Sequence, residues 1–181
     1  MVKAIFIPGN GGGGPTDYWF PYLKKELEKL NVAVIASEFP DNQFARESYW
    51  IPFIQNVLKA DKDTILIGSS SGAIAAMRYA ETRQLLGTVL VGAYYTDLGL
   101  SSEKISGYFD RPWDWAKIVQ HQKWIIQFSS IDDPLIPIEE ARYVHEKLKA
   151  DYHEFEDQGH FGRPTFPELV DALKPRLQSI E

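Results

Sequence analysis

Short runs of apolar residues alternate along this chain with longer segments in which apolar residues recur every three to four positions. The short runs are rich in valine and isoleucine, which is typical of strands buried on both faces of a parallel sheet. The longer segments have the period of amphipathic helices. Strands are predicted at residues 2–7, 32–37, 64–67, 88–92, 124–129 and 152–155. Helices are predicted at residues 18–30, 46–58, 71–81, 113–119, 138–149 and 166–178. The pattern predicts an α/β fold, a three-layer αβα sandwich in which residues 1–181 form one domain.

A serine between glycines follows the third predicted strand. Residues 68–72 read Gly-Ser-Ser-Ser-Gly, and a helical pattern follows them. In a strand, tight turn and helix of this kind, Gly68 and Gly72 supply the small residues that the turn needs. The turn lifts the Ser70 hydroxyl above the end of the sheet. We therefore predict that Ser70 is a nucleophile; the alternative is a glycine-serine turn without a catalytic role.

A serine nucleophile needs a general base, and the chain has four histidines. His121 lies in a polar connection, His145 in a predicted helix and His153 in a predicted strand, so each is expected to be an ordinary structural residue. His160 differs because it follows the last predicted strand in a loop, beside Gly159. Loops at strand ends are where catalytic groups collect. We predict that His160 is the base.

The acid that orients this base is expected in the loop after the preceding strand, since the order Ser, Asp, His is typical of this arrangement. Asp132 and Asp133 both lie there. Pro134 favours an extended conformation at Asp133 and stiffens the loop. Asp132 has an alternative role as a cap for the helix that follows. We assign the catalytic role to Asp133.

The oxyanion of an acyl-transfer reaction needs hydrogen-bond donors. One expected donor is the main-chain N–H of Ser71, the residue after the nucleophile. The second is expected from the loop after the first strand, where residues 8–14 read Pro-Gly-Asn-Gly-Gly-Gly-Gly. Glycine lets main-chain amides approach a ligand closely, so the N–H of Asn10 or of Gly11 is the predicted second donor.

The same glycine loop supports a different hypothesis, dinucleotide binding. Gly9, Gly11 and Gly14 satisfy the pattern G-x-G-x-x-G, and Glu38 ends the next strand, where an acid that binds ribose would lie. The third glycine of that pattern belongs to the helix, whereas the sequence at residues 15–17 predicts a new helix start beyond Gly14. The dinucleotide hypothesis is therefore the weaker one.

Several motifs together resemble a known family. They are Pro-Gly-Asn-Gly-Gly-Gly at 8–13, Ala-Arg-Glu-Ser at 45–48, Ser-Ser-Gly-Ala-Ile-Ala-Ala-Met-Arg-Tyr-Ala-Glu at 70–81, Gly-Tyr-Phe at 107–109, Arg-Pro-Trp at 111–113 and Asp-Asp-Pro at 132–134. Through them nearly the whole chain resembles the retinoblastoma-binding protein 9 and YdeN-like family of small serine hydrolases. The resemblance implies a compact α/β-hydrolase fold with a six-stranded parallel sheet in the order 2-1-3-4-5-6. It also implies a triad on Ser70, Asp133 and His160.

Two positions depart from the family pattern. Ser69 precedes the nucleophile where the family is expected to have histidine. Residues 58–62, Leu-Lys-Ala-Asp-Lys, fall where the human family member has an L-x-C-x-E retinoblastoma-binding motif, but the chain has no cysteine and Lys62 replaces the acid. We therefore expect no retinoblastoma-type partner.

The long connection between the fourth and fifth strands, at residues 96–120, is too short for a cap domain and is expected to form a minimal lid. Four aromatic residues of this connection, with one from an earlier helix, are predicted to line an apolar substrate pocket; the alternative is that some are core residues. They are Tyr108, Phe109, Trp113, Trp115 and Trp50.

Composition excludes several classes of function. The net charge of −6 and the pI near 5.3, with no basic stripe, argue against nucleic-acid binding. The absence of cysteine excludes disulfides and thiolate metal sites. No run approaches the roughly 20 apolar residues of a membrane span, and the first apolar run is too short for a signal peptide. We expect a cytoplasmic enzyme that needs no metal or cofactor.

The residues predict a serine hydrolase that cleaves small esters or amides through an acyl-enzyme. A catalytically weak protein-binding module on the same fold is the main alternative. A dinucleotide-dependent enzyme is the third hypothesis.

Overall fold

The sheet of this protein is wholly parallel. A computed structural model describes residues 2–178, and six strands pair in the order β2-β1-β3-β4-β5-β6. They are β1 (Lys3–Ile7), β2 (Ala33–Ala36), β3 (Thr64–Ser69), β4 (Gly87–Val91), β5 (Trp124–Ser130) and β6 (Asp151–Phe155). The predicted fold class and strand order are confirmed.

Helices connect the strands. They are α1 (Phe20–Lys29), α2 (Glu47–Pro52), α3 (Ser71–Ala80), α4 (Ser101–Ser106), α5 (Trp115–Gln120), α6 (Ile138–Leu148) and α7 (Pro167–Gln178). The predicted helix at 46–58 is α-helical only to Pro52 and continues as a π-helical turn over Phe53–Val57. The sequence pattern missed α4, because six residues are too few to show a helical period. No helix within residues 2–178 is both long and apolar enough to cross a membrane.

The strands β1 to β5 contribute to two hydrophobic cores, one on each face of the sheet. In β1, Ile5 and Ile7 pack into the core that contains Ala73–Ala76 of α3, whereas Ala4 and Phe6 pack into the core under α1 and α7. This alternation follows from the period of two in a strand. Because all six strands are parallel, their carboxyl ends lie at one edge of the sheet, and the functional candidates lie at that edge.

The connection between β4 and β5 is anchored on α3 by Arg78, whose side chain is completely buried. The guanidinium donates hydrogen bonds to three main-chain carbonyls of the connection, those of Tyr108, Arg111 and Pro112. It also pairs with Glu81 at 2.6 Å and lies 3.6 Å from the centre of the Trp113 ring. The Arg-Pro-Trp motif is thus explained by packing around this cation.

Candidate active site

Ser70 lies in a strained turn between β3 and α3. Its φ and ψ are 55° and −119°, a conformation that is costly for any residue other than glycine. The turn is so tight that a Cβ at Gly68 would lie 2.2 Å from the carbonyl oxygen of Gly72. A Cβ at Gly72 would lie 2.1 Å from the carbonyl oxygen of Ile7. The two glycines are therefore required by the close approach of backbones, as the Gly-x-Ser-x-Gly motif predicts.

His160 and Asp133 form a hydrogen-bonded pair at the same edge of the sheet. Their Nδ1 and Oδ2 atoms lie 2.7 Å apart. The other oxygen of Asp133 accepts hydrogen bonds from the main-chain N–H groups of Leu135 and Ile136, at 2.8 and 3.1 Å. The aspartate side chain is 3% exposed and that of the histidine 24%. Because both carboxylate oxygens are occupied, the acid holds the imidazole ring in one orientation.

Asp132 has a different role from its neighbour. Its Oδ1 accepts hydrogen bonds from the Ser130 hydroxyl at 2.5 Å and from the Gly159 N–H at 2.8 Å. The Ser130 oxygen in turn accepts from the N–H of Gln158 at 2.9 Å. The hydrogen bond from the Ser130 hydroxyl, and to a smaller extent the one from the Gly159 N–H, hold the pKa of Asp132 below its usual value. Asp132 therefore ties the loop after β5 to the loop that carries His160. The expectation that it caps α6 is wrong, because its bonds go to Ser130 and Gly159 and the N-cap position of that helix is Pro137.

Ser70 and His160 line one cavity of about 360 Å³. Its other walls come mainly from the loop after β1, residues 8–13 and 17–20, with Ser69 and Leu135. Tyr18 and Leu135 are 62% and 60% exposed at this cavity. A Cβ added to Gly9 would lie 3.5 Å from the Cβ of Ser70, so the glycine loop passes directly against the serine. The cavity joins the predicted nucleophile, the predicted base and the glycine loop.

The prediction that five aromatic side chains line the substrate pocket is wrong for this cavity, since none of the five is among its lining residues. Trp50 and Tyr108 are buried in the core, and the indole N–H of Trp50 donates to the carbonyl of Pro40 at 2.7 Å. Phe109, Trp113 and Trp115 pack partly buried against the same core. Beyond the glycine loop and the nucleophile turn, the lining residues that sequence reasoning missed are Asp17, Tyr18, Trp19, Phe20 and Leu135. The sequence feature that could have identified them is their place in the chain, because each follows closely on a loop predicted to carry catalytic groups.

One of the predicted oxyanion donors is also corrected. The N–H of Gly11 donates to the carbonyl of Gln43 at 3.0 Å, so it is already bonded within the protein. Asn10 lines the cavity, and its side-chain amide donates to Glu103 at 2.9 Å. Ser71 is the first residue of α3. The N–H groups of Asn10 and Ser71 stay predicted donors.

The glycine loop does not have the geometry of a dinucleotide-binding turn. α1 begins at Phe20, well beyond Gly14, and the N–H of Gly14 donates to the Asp17 carboxylate at 2.9 Å. The third glycine therefore opens a capped turn rather than a helix, and the dinucleotide hypothesis is wrong. Within residues 2–178, no group of three or more His, Cys, Asp or Glu side chains is placed to hold a metal ion.

Comparison with known proteins shows the family of this chain. The family model "Serine hydrolase" matches residues 4–165. Serine hydrolase RBBP9 of Rattus norvegicus is 48% identical over 178 residues, covering 97% of this chain and 96% of the relative. YdeN of Bacillus subtilis (strain 168) is 26% identical over 184 residues, covering 96% and 95%.

Solved structures show the same fold. The structure of the ydeN gene product from B. subtilis has a TM-score of 0.89 at 24% identity and covers 98% of this chain and 100% of that one. The structure of Est1E from Butyrivibrio proteoclasticus with bound ferulic acid has a TM-score of 0.78 at 13% identity, covering 99% and 89%. The resemblance seen in the sequence is confirmed: this chain belongs to the serine hydrolase family and has the α/β-hydrolase fold.

Proposed function

We propose that this hydrolase cleaves small esters or amides through an acyl-enzyme, with Ser70 as nucleophile, His160 as base and Asp133 as orienting acid. The observation that carries the proposal is the 2.7 Å bond between His160 Nδ1 and Asp133 Oδ2, on a histidine that lines the same cavity as Ser70. A merely structural pair would not need to lie beside a strained serine in an open cavity.

The arrangement supports the following proton path. Asp133 can only accept a hydrogen bond, so the proton of the neutral imidazole is on Nδ1 and Nε2 has the free lone pair. Nε2 takes the Ser70 proton as Oγ attacks the carbonyl carbon, and then donates it to the leaving alcohol or amine. A water molecule next loses a proton to the same Nε2 and attacks the acyl-enzyme, and its collapse returns the proton to Ser70 and releases the acid.

The tetrahedral intermediates carry a negative charge on the former carbonyl oxygen. We assign its stabilisation to the main-chain N–H groups of Asn10 and Ser71. Ser71 is fixed at the start of α3, and Asn10 lies in the cavity wall. Loss of one such donor costs about 10²- to 10³-fold in kcat in well-studied hydrolases.

The cavity favours small substrates. Its volume of about 360 Å³ lies at the low end of the range for small-molecule sites. Tyr18 and Leu135 offer apolar surface, whereas the glycine loop and Asp17 are polar. We propose that short esters or amides with a compact apolar group bind here, and that long acyl chains, which the cavity cannot enclose, are poor substrates.

Labelling with a fluorophosphonate probe, followed by peptide mapping, tests the proposal. The probe is expected on Ser70, and Ser70→Ala is expected to abolish labelling while the circular dichroism spectrum stays unchanged. Ser69→Ala and Ser71→Ala serve as neighbouring controls and are expected to be labelled. A label on Ser69 or Ser71 would contradict the assignment. Absence of labelling in folded protein would favour the binding-module hypothesis.

A further inference from the structure

A buried carboxylate lies behind the glycine loop. Glu103 is in α4, in the connection between β4 and β5, and is 6% exposed. The side-chain amide of Asn10 donates to its Oε1 at 2.9 Å, and the hydroxyl of Tyr94 donates to its Oε2 at 2.7 Å. The residue thus connects α4, in the connection between β4 and β5, with the wall of the cavity.

The hydrogen bonds continue from Tyr94 to the nucleophile turn. The Tyr94 oxygen lies 3.4 Å from the hydroxyl oxygen of Ser71. Because the Tyr94 hydroxyl donates to Glu103, Ser71 is the donor in this contact. Burial of Tyr94, and then the nearby Glu103, raise the pKa of the phenol well above its usual value, so the hydroxyl stays protonated.

The cost of this arrangement argues against a purely structural role. A buried carboxylate is expensive unless it is paired with a cation or accepts several hydrogen bonds. Glu81 is buried to the same degree and has Arg78 as its partner at 2.6 Å. Within residues 2–178, Glu103 has only the neutral donors Asn10 and Tyr94 and no ion-pair partner.

We propose that Glu103 is a positioning residue for the oxyanion hole. One carboxylate oxygen holds the side chain of Asn10, and hence the Asn10 N–H. The glycines that follow Asn10 have no side chain that could fix this part of the loop. The other oxygen acts through Tyr94 on the first turn of α3 and the Ser71 N–H. Glu103 does not touch the substrate. The inference rests on the proposed function, because it assumes that Asn10 and Ser71 supply the oxyanion donors.

Glu103→Gln tests this role in the full-length protein. The amide keeps the shape of the side chain but cannot accept from both donors. We expect kcat to fall about 10- to 100-fold with KM within about twofold, since the loss lies in the transition state. Tyr94→Phe removes only the hydroxyl, and we expect a smaller loss of the same kind.

A pair of matched substrates distinguishes a loss of oxyanion-hole alignment from a general loss of protein stability. An ester and its thionoester differ only in the atom that becomes the anion, and sulfur makes poorer use of an oxyanion hole than oxygen does. The wild-type protein is expected to prefer the ester strongly, and Glu103→Gln is expected to reduce the ratio of the two kcat values about 10-fold. Destabilisation alone would lower both rates together and leave the ratio unchanged.

Glu140→Gln is the matched control. Glu140 accepts hydrogen bonds from the Tyr95 and Thr96 N–H groups at 2.9 and 3.1 Å, at the start of the same connection, but has no bond to the glycine loop. This variant is expected to lose stability and to keep the wild-type ratio. If Glu103→Gln does not fold, Asn10→Ala tests the other end of the bond, since it removes the side chain and keeps the main-chain N–H.

The outcomes separate this inference from the proposed function. If Ser70→Ala is inactive and Glu103→Gln and Asn10→Ala each lower the ester-to-thionoester ratio, with the double variant no worse than Glu103→Gln alone, the positioning role is supported. If Ser70→Ala is inactive but the ratio is unchanged in both variants, the positioning role is wrong and the nucleophile assignment stands. If Ser70→Ala retains full activity, the proposed function fails.

Discussion

Two segments rich in aromatic residues differ in whether they expose an aromatic ring at the cavity of Ser70. The loop after β1, residues 8–20, lines the cavity, and its Tyr18 is largely exposed. The connection at residues 96–120 keeps its aromatic rings against the core, where Trp113 lies over the guanidinium of Arg78 and stacks on Trp115 at 5.5 Å. Trp19 and Phe20 of the loop are core residues, 1% and 2% exposed, so Tyr18 is the aromatic side chain that the loop exposes at the cavity. In the connection the aromatic side chains are part of the packing.

The difference shows that the partners of an aromatic ring, rather than its presence, decide its role. Arg78 is buried in α3 and needs acceptors for its N–H groups, which the carbonyls of Tyr108, Arg111 and Pro112 supply. Trp113 adds a cation–π contact and donates its indole N–H to the Tyr95 carbonyl at 2.9 Å. The connection is thus fixed to α3, and its rings are not available to a substrate.

The largest expected effect is on kcat and comes from a residue at the cavity. Asp133→Asn is expected to lower kcat by up to about 10⁴-fold with little loss of stability, because an amide favours the wrong imidazole tautomer. Asp132→Asn is the neighbouring control. It loosens the loop of His160 through Gly159 and is expected to cost far less. Steady-state kinetics check both, and equal small losses would show that neither carboxylate orients the base.

The next effect is on the connection, and it is a loss of stability. Arg78→Met is expected to lower the free energy of unfolding by about 3–5 kcal/mol. It leaves the buried Glu81 with Arg111, 3.7 Å away, as its remaining cation, and it removes the donors to the carbonyls of the connection. Arg83→Met, a change at the surface of the same region, is expected to stay within about 0.5 kcal/mol. Urea unfolding measures both. If the Arg78 variant is as stable as the wild type, the connection is not anchored by this cation.

The smallest effect separates the two aromatic segments directly. Tyr18→Ala is expected to lower kcat/KM for a phenyl ester about 10-fold, because it removes apolar contact area from the cavity wall. Trp115→Ala is expected to change kcat/KM less than about twofold while lowering stability by about 1–2 kcal/mol. The reverse result, with Trp115→Ala lowering kcat/KM and Tyr18→Ala leaving it unchanged, would show that the connection at residues 96–120 binds the substrate.

The sequence contained enough information for the fold and for the location of the site. Buried strands and the Gly-x-Ser-x-Gly turn are local patterns, so the strand order and the place of Ser70 followed from short segments and the family resemblance. The pairing of His160 with Asp133 matches the prediction because both loops leave the same edge of the sheet.

Long-range partners were not predictable from sequence. The role of Asp132 depends on Gly159, 27 residues away, and the bonded state of the Gly11 N–H depends on Gln43. The pocket prediction failed for the same reason, since nothing near Trp113 in the sequence indicates that a buried arginine of α3 lies under its ring.

The most direct measurement for the central claim is a crystal structure of the protein after reaction with a phenyl-bearing phosphonate. We expect phosphorus bonded to Ser70 Oγ, a phosphoryl oxygen within hydrogen-bond distance of the Asn10 and Ser71 N–H groups, and the phenyl group against Tyr18 and Leu135. Phosphorus on another residue, or a phenyl group inserted between Phe109 and Trp113, would contradict it.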